Sequence, residues 1–195
     1  MSDALRHRRQ ATYEDLLEVP EHLVAEIVAG DLYTSPRPGP PHARAATMLG
    51  SDIVPPFDRE EGGTSGPGGW WILHEPEVHL HDEILVPDLA GWRRSRMPSL
   101  PDSAFFVVPP DWVCEIVSPA TERLDRGRKR LIYAREGVSH LWLLSPSART
   151  LEVFRLSSGT WILLNTFEGD ETIHAEPFEA IGLDMSHWWI PGTSE

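Results

Sequence analysis

The sequence contains one cysteine, Cys114, and one lysine, Lys129. A single cysteine excludes an internal disulfide framework and fits a reducing cytoplasm. Basic residues are scarce as well: 17 Lys and Arg stand against 30 Asp and Glu, a formal net charge of −13. This balance excludes a nucleic-acid binder that works through a globally basic surface, but it leaves room for a local basic groove or for carboxylates that hold metal. No apolar stretch nears the ~20 residues of a membrane span, and no apolar run follows Arg6, Arg8 and Arg9 as a secretory signal would require. Nucleophile-elbow, P-loop, dinucleotide and zinc-cysteine patterns are missing too. What remains is a chain of 195 residues, 41% apolar and 24% charged, long enough to bury a sizeable core. The expectation is a loose polar arm over residues 1–11, one domain over 12–195, and a cytoplasmic location.

Local patterns predict a strand-rich α/β chain with two substantial helices. Thr12 and Asp15 mark a capped short helix over 13–18, and Pro20 stops it. Strands are expected at 23–28 and 32–35, joined by a turn at Ala29-Gly30. Ala46, Leu49 and Ile53 give helical spacing over 42–57, ending near Pro55-Pro56. A glycine-rich loop fills 62–69, and β-like stretches follow at 70–80, 84–92 and 113–117. Thr121 is expected to cap a helix reaching Arg135, with Gly137 as its stop. Three more strands are expected, at 140–144, 151–156 and 161–167.

Two carboxylates stand out because they sit in apolar strand patterns: Asp88 within Ile84-Leu-Val-Pro-Asp-Leu-Ala90, and Glu115 within Trp112-Val-Cys-Glu-Ile-Val-Ser118. A buried ionised carboxylate is costly unless it is paired, hydrogen-bonded or bound to metal. Each alone reads equally as a structural ion pair; two on neighbouring strands point to a shared site. On the following helix Asp125, Lys129 and Tyr133 are spaced i, i+4, i+8 and share one face, with Asp125 expected nearer solvent. A lone lysine among arginines suits a position that needs a compact point charge, though codon bias alone could leave one.

Pro87-Asp88, Glu115-Ile-Val-Ser-Pro119, Asp125, Lys129 and Tyr133 in this order resemble the Uma-type restriction endonuclease family of the PD-(D/E)XK phosphodiesterase superfamily. Glu26-Ile-Val-Ala-Gly-Asp-Leu32, Ser35-Pro36 with His42, Tyr133 to Val138, Leu141 to Pro146 and Leu151 to Arg155 extend the resemblance over residues 12–167. It implies a restriction-endonuclease-like fold, a mixed β-sheet core flanked by helices with added β-hairpins. The implied activity is Mg²⁺-dependent endonucleolytic hydrolysis of nucleic acid, DNA before RNA, by a homodimer, with Mn²⁺ as a substitute ion. The resemblance makes Asp88, Glu115 and the backbone carbonyl of Ile116 the metal ligands, and Lys129 the catalytic ammonium. Glu26 would stand at the rim as a further catalytic group, and His42, Arg126 and Tyr133 would contact substrate. The superfamily places its lysine two residues after the glutamate; here that position is Val117, and the lysine has moved to the next helix. The alternative is a non-catalytic metal-binding or interaction protein on the same fold.

Other clusters compete. His79 and His81, near His74, Glu75 and Glu77, could form a transition-metal site in a β-barrel, or simply line an edge strand. Trp70-Trp71 and Trp188-Trp189 could stack bases or pair two copies. Cys114 reads as a small packed hydrophobe. Arg123, Arg126, Arg128 and Arg130 outline a basic groove that offsets the acidic charge locally.

Overall fold

A computed structural model describes residues 9–62 and 66–191. The chain begins with α1 (Tyr13–Leu17), β1 (Leu23–Val28), β2 (Asp31–Pro36) and α2 (Pro40–Phe57). Five short strands follow: β3 (Trp70–His74), β4 (Val78–Leu80), β5 (Glu83–Leu85), β6 (Leu89–Arg93) and β7 (Trp112–Ile116). A helical segment comes next, made of α3 (Glu122–Leu124), a π-helical turn (Asp125–Lys129) and α4 (Arg130–Arg135). The chain then forms β8 (His140–Ser145), β9 (Thr150–Ser157), β10 (Thr160–Glu168), β11 (Thr172–Ile173) and β12 (Leu183–Asp184). Most of the expected arm and the centre of the glycine loop lie outside the described residues. Where the arm becomes visible, the Ala11 amide donates to the Gly30 carbonyl at 2.9 Å.

Six strands form the main sheet in the order β10-β9-β8-β7-β6-β3, and β2-β1-β5-β4 form a second, antiparallel one. Within the main sheet only β7 and β8 run parallel, because the helical segment between them carries the chain back across one face. All five residues of β7 are buried, as expected of a strand covered on both faces. Trp112, Cys114 and Ile116 face one core, where α2 packs through Ala45, Leu49, Ile53 and Phe57, spaced four apart along one helix stripe. Val113 and Val117 face a second core with Ile132, Tyr133 and Leu141. Glu115 shares that second face. This is the restriction-endonuclease-like mixed core flanked by helices.

Several sequence expectations need correction. The expected strand over 84–92 is two strands in different sheets: β5 pairs with β1, β6 pairs with β7, and Val86-Pro87-Asp88 is the crossing. Asp88 therefore stands just before a strand, where a proline and a change of partner free its side chain. The stretch over 70–80 also breaks in two, with Glu75 at a φ of 45° between β3 and β4. The helix expected over 42–57 does end at Phe57, with Pro55 and Pro56 in its last turn. Thr121 precedes α3 without capping it by a side-chain bond; its hydroxyl pairs with that of Ser118 at 3.1 Å. The tryptophan pairs belong to the interior: Trp70, Trp188 and Trp189 are in the first core, and Trp71 packs on the second.

Candidate active site

Four elements converge where the two sheets meet. Glu26 points from β1, and its Oε1 accepts the Val86 amide of the crossing at 2.8 Å. Asp88, at the end of the crossing, takes the Ile116 amide on Oδ2 at 2.6 Å and contacts His42 Nε2 through Oδ1 at 2.6 Å. His42 lies in the first turn of α2, which Pro40 and Pro41 open. Glu115 reaches in from β7, and its Oε1 accepts the Tyr133 hydroxyl at 2.5 Å.

Lys129 joins these groups. Its Nζ lies 2.8 Å from Glu26 Oε1, 2.8 Å from Glu115 Oε1 and 3.6 Å from Asp125 Oδ1. In an α-helix, residues four apart drift by roughly 40° around the axis. The π turn winds more residues per turn and offsets that drift, so all three turn inward: Lys129 and Tyr133 to Glu115, and Asp125 to Lys129. Such π turns recur at functional sites. The lysine thus reaches from the helix the glutamate that Val117, just past the end of β7, cannot serve.

These side chains surround a cavity of about 120 Å³, lined by Glu26, His42, Asp88, Glu115, Asp125 and Lys129, with Ser35, Arg37, Glu75, Ser118 and Thr121 nearer its mouth. Asp125 is 3% exposed, against the expectation of a place near solvent, because the π turn rolls it inward. Tyr133, expected to contact substrate, is 1% exposed, holds Glu115 from beneath and is not among the residues that line the cavity. Arg126 turns away to Glu122 at 2.9 Å and to Glu152, outside the cavity lining. Arg130 lies over Phe154. Of the expected basic groove, Arg123 and Arg128 alone face the same cleft.

The electrostatics are acidic. Burial, followed by the nearby Asp125, Asp88 and Glu26 charges, raises Glu115 well above the ordinary carboxylate range, although Lys129 pulls the other way. Burial likewise raises Asp125. Burial opposes the charged form of Lys129, but Glu115 and Glu26 outweigh it and hold the ammonium charged to well above its usual range. Burial also disfavours the His42 imidazolium, and the bond to Asp88 with that residue's charge more than compensates. Four carboxylates facing one ammonium and one imidazole make a site that favours added positive charge.

The rival histidine cluster does not assemble. His79 bonds Glu77 at 2.6 Å and stacks on Phe105, His81 bonds Glu136 at 2.9 Å, and His74 packs against Gly50 of α2. Among the described residues no three His, Cys, Asp or Glu side chains form a ready-made metal cage. The sequence reading missed the Val86 and Ile116 amides, which aim Glu26 and Asp88. Backbone donors leave no signal in residue type.

A family model described as Uma2, "Putative restriction endonuclease", matches residues 11–186. No curated protein matches. A crystal structure described as a putative nuclease belonging to DUF820 from Anabaena variabilis aligns with a TM-score of 0.72 at 21% identity. The alignment covers 91% of this chain and 97% of that one, and it shows a shared fold. No helix among the described residues is long and apolar enough to cross a membrane.

Proposed function

This chain belongs to the Uma2 family, and from that premise we propose that it is a Mg²⁺-dependent endonuclease hydrolysing phosphodiester bonds of nucleic acid, with DNA as the first substrate to test. One observation carries the reading: a buried ammonium, Lys129, lies 2.8 Å from both Glu115 and Glu26 in the cavity that Asp88 also lines.

The donor set fits a hard divalent cation. Mg²⁺ commonly takes only one or two carboxylates and keeps several waters, so a three-carboxylate cage is not needed. Asp88 and Glu115 would hold it with the carbonyl of Ile116, and Mn²⁺ could replace it. Once bound, the ion would neutralise phosphate charge and lower the pKa of an attacking water. The protein's own groups do the rest. The Ile116 amide and His42 fix the Asp88 carboxylate from two sides. Tyr133 and Lys129 both engage Oε1 of Glu115, so Oε2 would be the oxygen left to hold the ion. The Lys129 ammonium is preorganised to hold the attacking water or to steady charge developing on the phosphoryl oxygens. Glu26, bonded to the Val86 amide, keeps the ammonium in place.

The test is cleavage of single- and double-stranded DNA with Mg²⁺ or Mn²⁺, alongside calorimetric titration of Mn²⁺. Asp88→Ala should abolish both metal binding and cleavage. Lys129→Met should bind metal and fail to cut. A wild type that binds metal and cuts nothing would leave the non-catalytic reading of the fold.

A further inference from the structure

Beside the catalytic cavity lies a larger cleft of about 680 Å³, within the roughly 300–1,000 Å³ range of ligand sites. The two share walls at Glu26, Ser35, Ala120 and Thr121. One side of the cleft is Tyr33 of β2. Tyr33 is paired directly with Glu26 in the β1–β2 ladder, so its ring stands on the same sheet face as that carboxylate. The other side is the helical segment, through Arg123, Leu124, Gly127 and Arg128.

Three features point to an occupant. Arg128 bonds the Tyr33 hydroxyl at 2.5 Å and Asp31 at 3.1 Å, which braces the ring and neutralises the acid beside it. Arg123 is exposed and has no acidic partner among the described residues, although the chain carries an excess of acid. Gly127 occupies a helical position where glycine is unfavourable, yet a Cβ there would meet nothing within 4 Å. The glycine keeps that wall of the cleft low.

We propose that this cleft receives one unpaired nucleotide adjoining the scissile phosphate, its base against Tyr33 and its phosphate on Arg123. An aromatic face braced by arginine, with a free guanidinium beside it, is the chemistry that holds single-stranded nucleic acid. A base that stacks on Tyr33 between strand and helix must first leave its own helical stack and its complement. Opened strands, or a nucleotide extruded from a duplex, are therefore the preferred substrate. The inference rests on the phosphodiesterase reading, and its test needs no turnover.

The measurement is fluorescence anisotropy of a short labelled single strand in EDTA, repeated across salt concentrations. Thermal melting of each variant confirms that it is folded. Tyr33→Leu should weaken binding by about tenfold or more, and Tyr33→Phe should retain it. An abasic strand should bind the wild type as weakly as the intact strand binds Tyr33→Leu. Arg123→Ala should reduce the log–log salt slope by about 0.7, the share of one single-strand phosphate. Gly127→Met, whose Cβ would meet nothing within 4 Å, puts a side chain on the cleft wall and should compete with the base and weaken binding. Unchanged binding in Tyr33→Leu and Gly127→Met, an unchanged salt slope in Arg123→Ala, tighter binding of blunt duplex, or no binding by the wild type would each overturn the proposal. Binding that follows this pattern with no cleavage under Mn²⁺ would keep the cleft and remove the nuclease; cleavage indifferent to these residues would do the reverse.

Discussion

Strand β7 has two buried faces of opposite character. Trp112, Cys114 and Ile116 meet α2 and the aromatic cluster around Phe178, while Glu115, between Val113 and Val117, meets Lys129 and Tyr133. Both faces are buried in the fold, so burial does opposite things one residue apart. On the apolar face it is the stabilising term. On the other it drives Glu115 towards its protonated form and leaves Lys129 charged only because carboxylates surround it. The first face is built for stability, and the second holds charges whose cost makes sense as a prepared electrostatic site.

The comparison breaks first at Trp112. Its ring contacts Trp142 and Phe178, with centroids 5.4 and 4.9 Å away. Trp112→Ala should cost about 3–5 kcal/mol in denaturant unfolding, the usual scale for emptying a core aromatic site. A loss below ~1 kcal/mol would mean that this face is not the main source of stability. On the other face the larger effect should be on rate. Lys129→Met should lower cleavage by roughly 10²-fold or more. Lys129→Arg should also be poor, since a planar guanidinium does not fit where a compact ammonium sits between Glu115 and Glu26. Equal cleavage in all three proteins would reduce the lysine to an ion-pair partner.

A smaller effect is the response to pH. Glu115 keeps its proton to higher pH in the fold than in the unfolded chain, where it titrates at about 4.3. Its contribution to stability is complete below that value and is lost as pH rises towards the folded value, well above it. His42, also raised, acts in the same direction from about 6.5 upwards. In a chelating buffer the dependence of Tm on pH should therefore be less negative for Glu115→Gln than for the wild type between about pH 4.5 and 8. Identical slopes would show that the burial of Glu115 is not felt. The smallest effect should be at Cys114, whose thiol is raised well above its usual range by burial. Native protein should resist thiol labelling until it unfolds, and rapid labelling would show that the apolar face opens.

The sequence alone carried the anomaly that located the site. Two carboxylates in apolar patterns and one lysine on a helix face were legible because burial and periodicity are local properties of the chain. The strands from β8 to β10 and the helix start at α1 were legible for the same reason. The partners were decided by tertiary structure. Val86-Pro87-Asp88 reads as part of a strand, and only pairing with β1 on one side and β7 on the other makes it the crossing between sheets. Only the π turn buries Asp125. Arg126 and Arg128 are two residues apart in sequence, yet one meets Glu152 and the other Asp31 because distant strands present those acids. Trp188 and Trp189 look like a surface pair until the C-terminal segment folds over α2, where Asp52 accepts the Trp188 indole N–H at 2.7 Å. Hydrophobic spacing fixes which face of an element is buried. What that face meets depends on pairings between residues far apart in the chain, and those are settled only when all the elements pack at once.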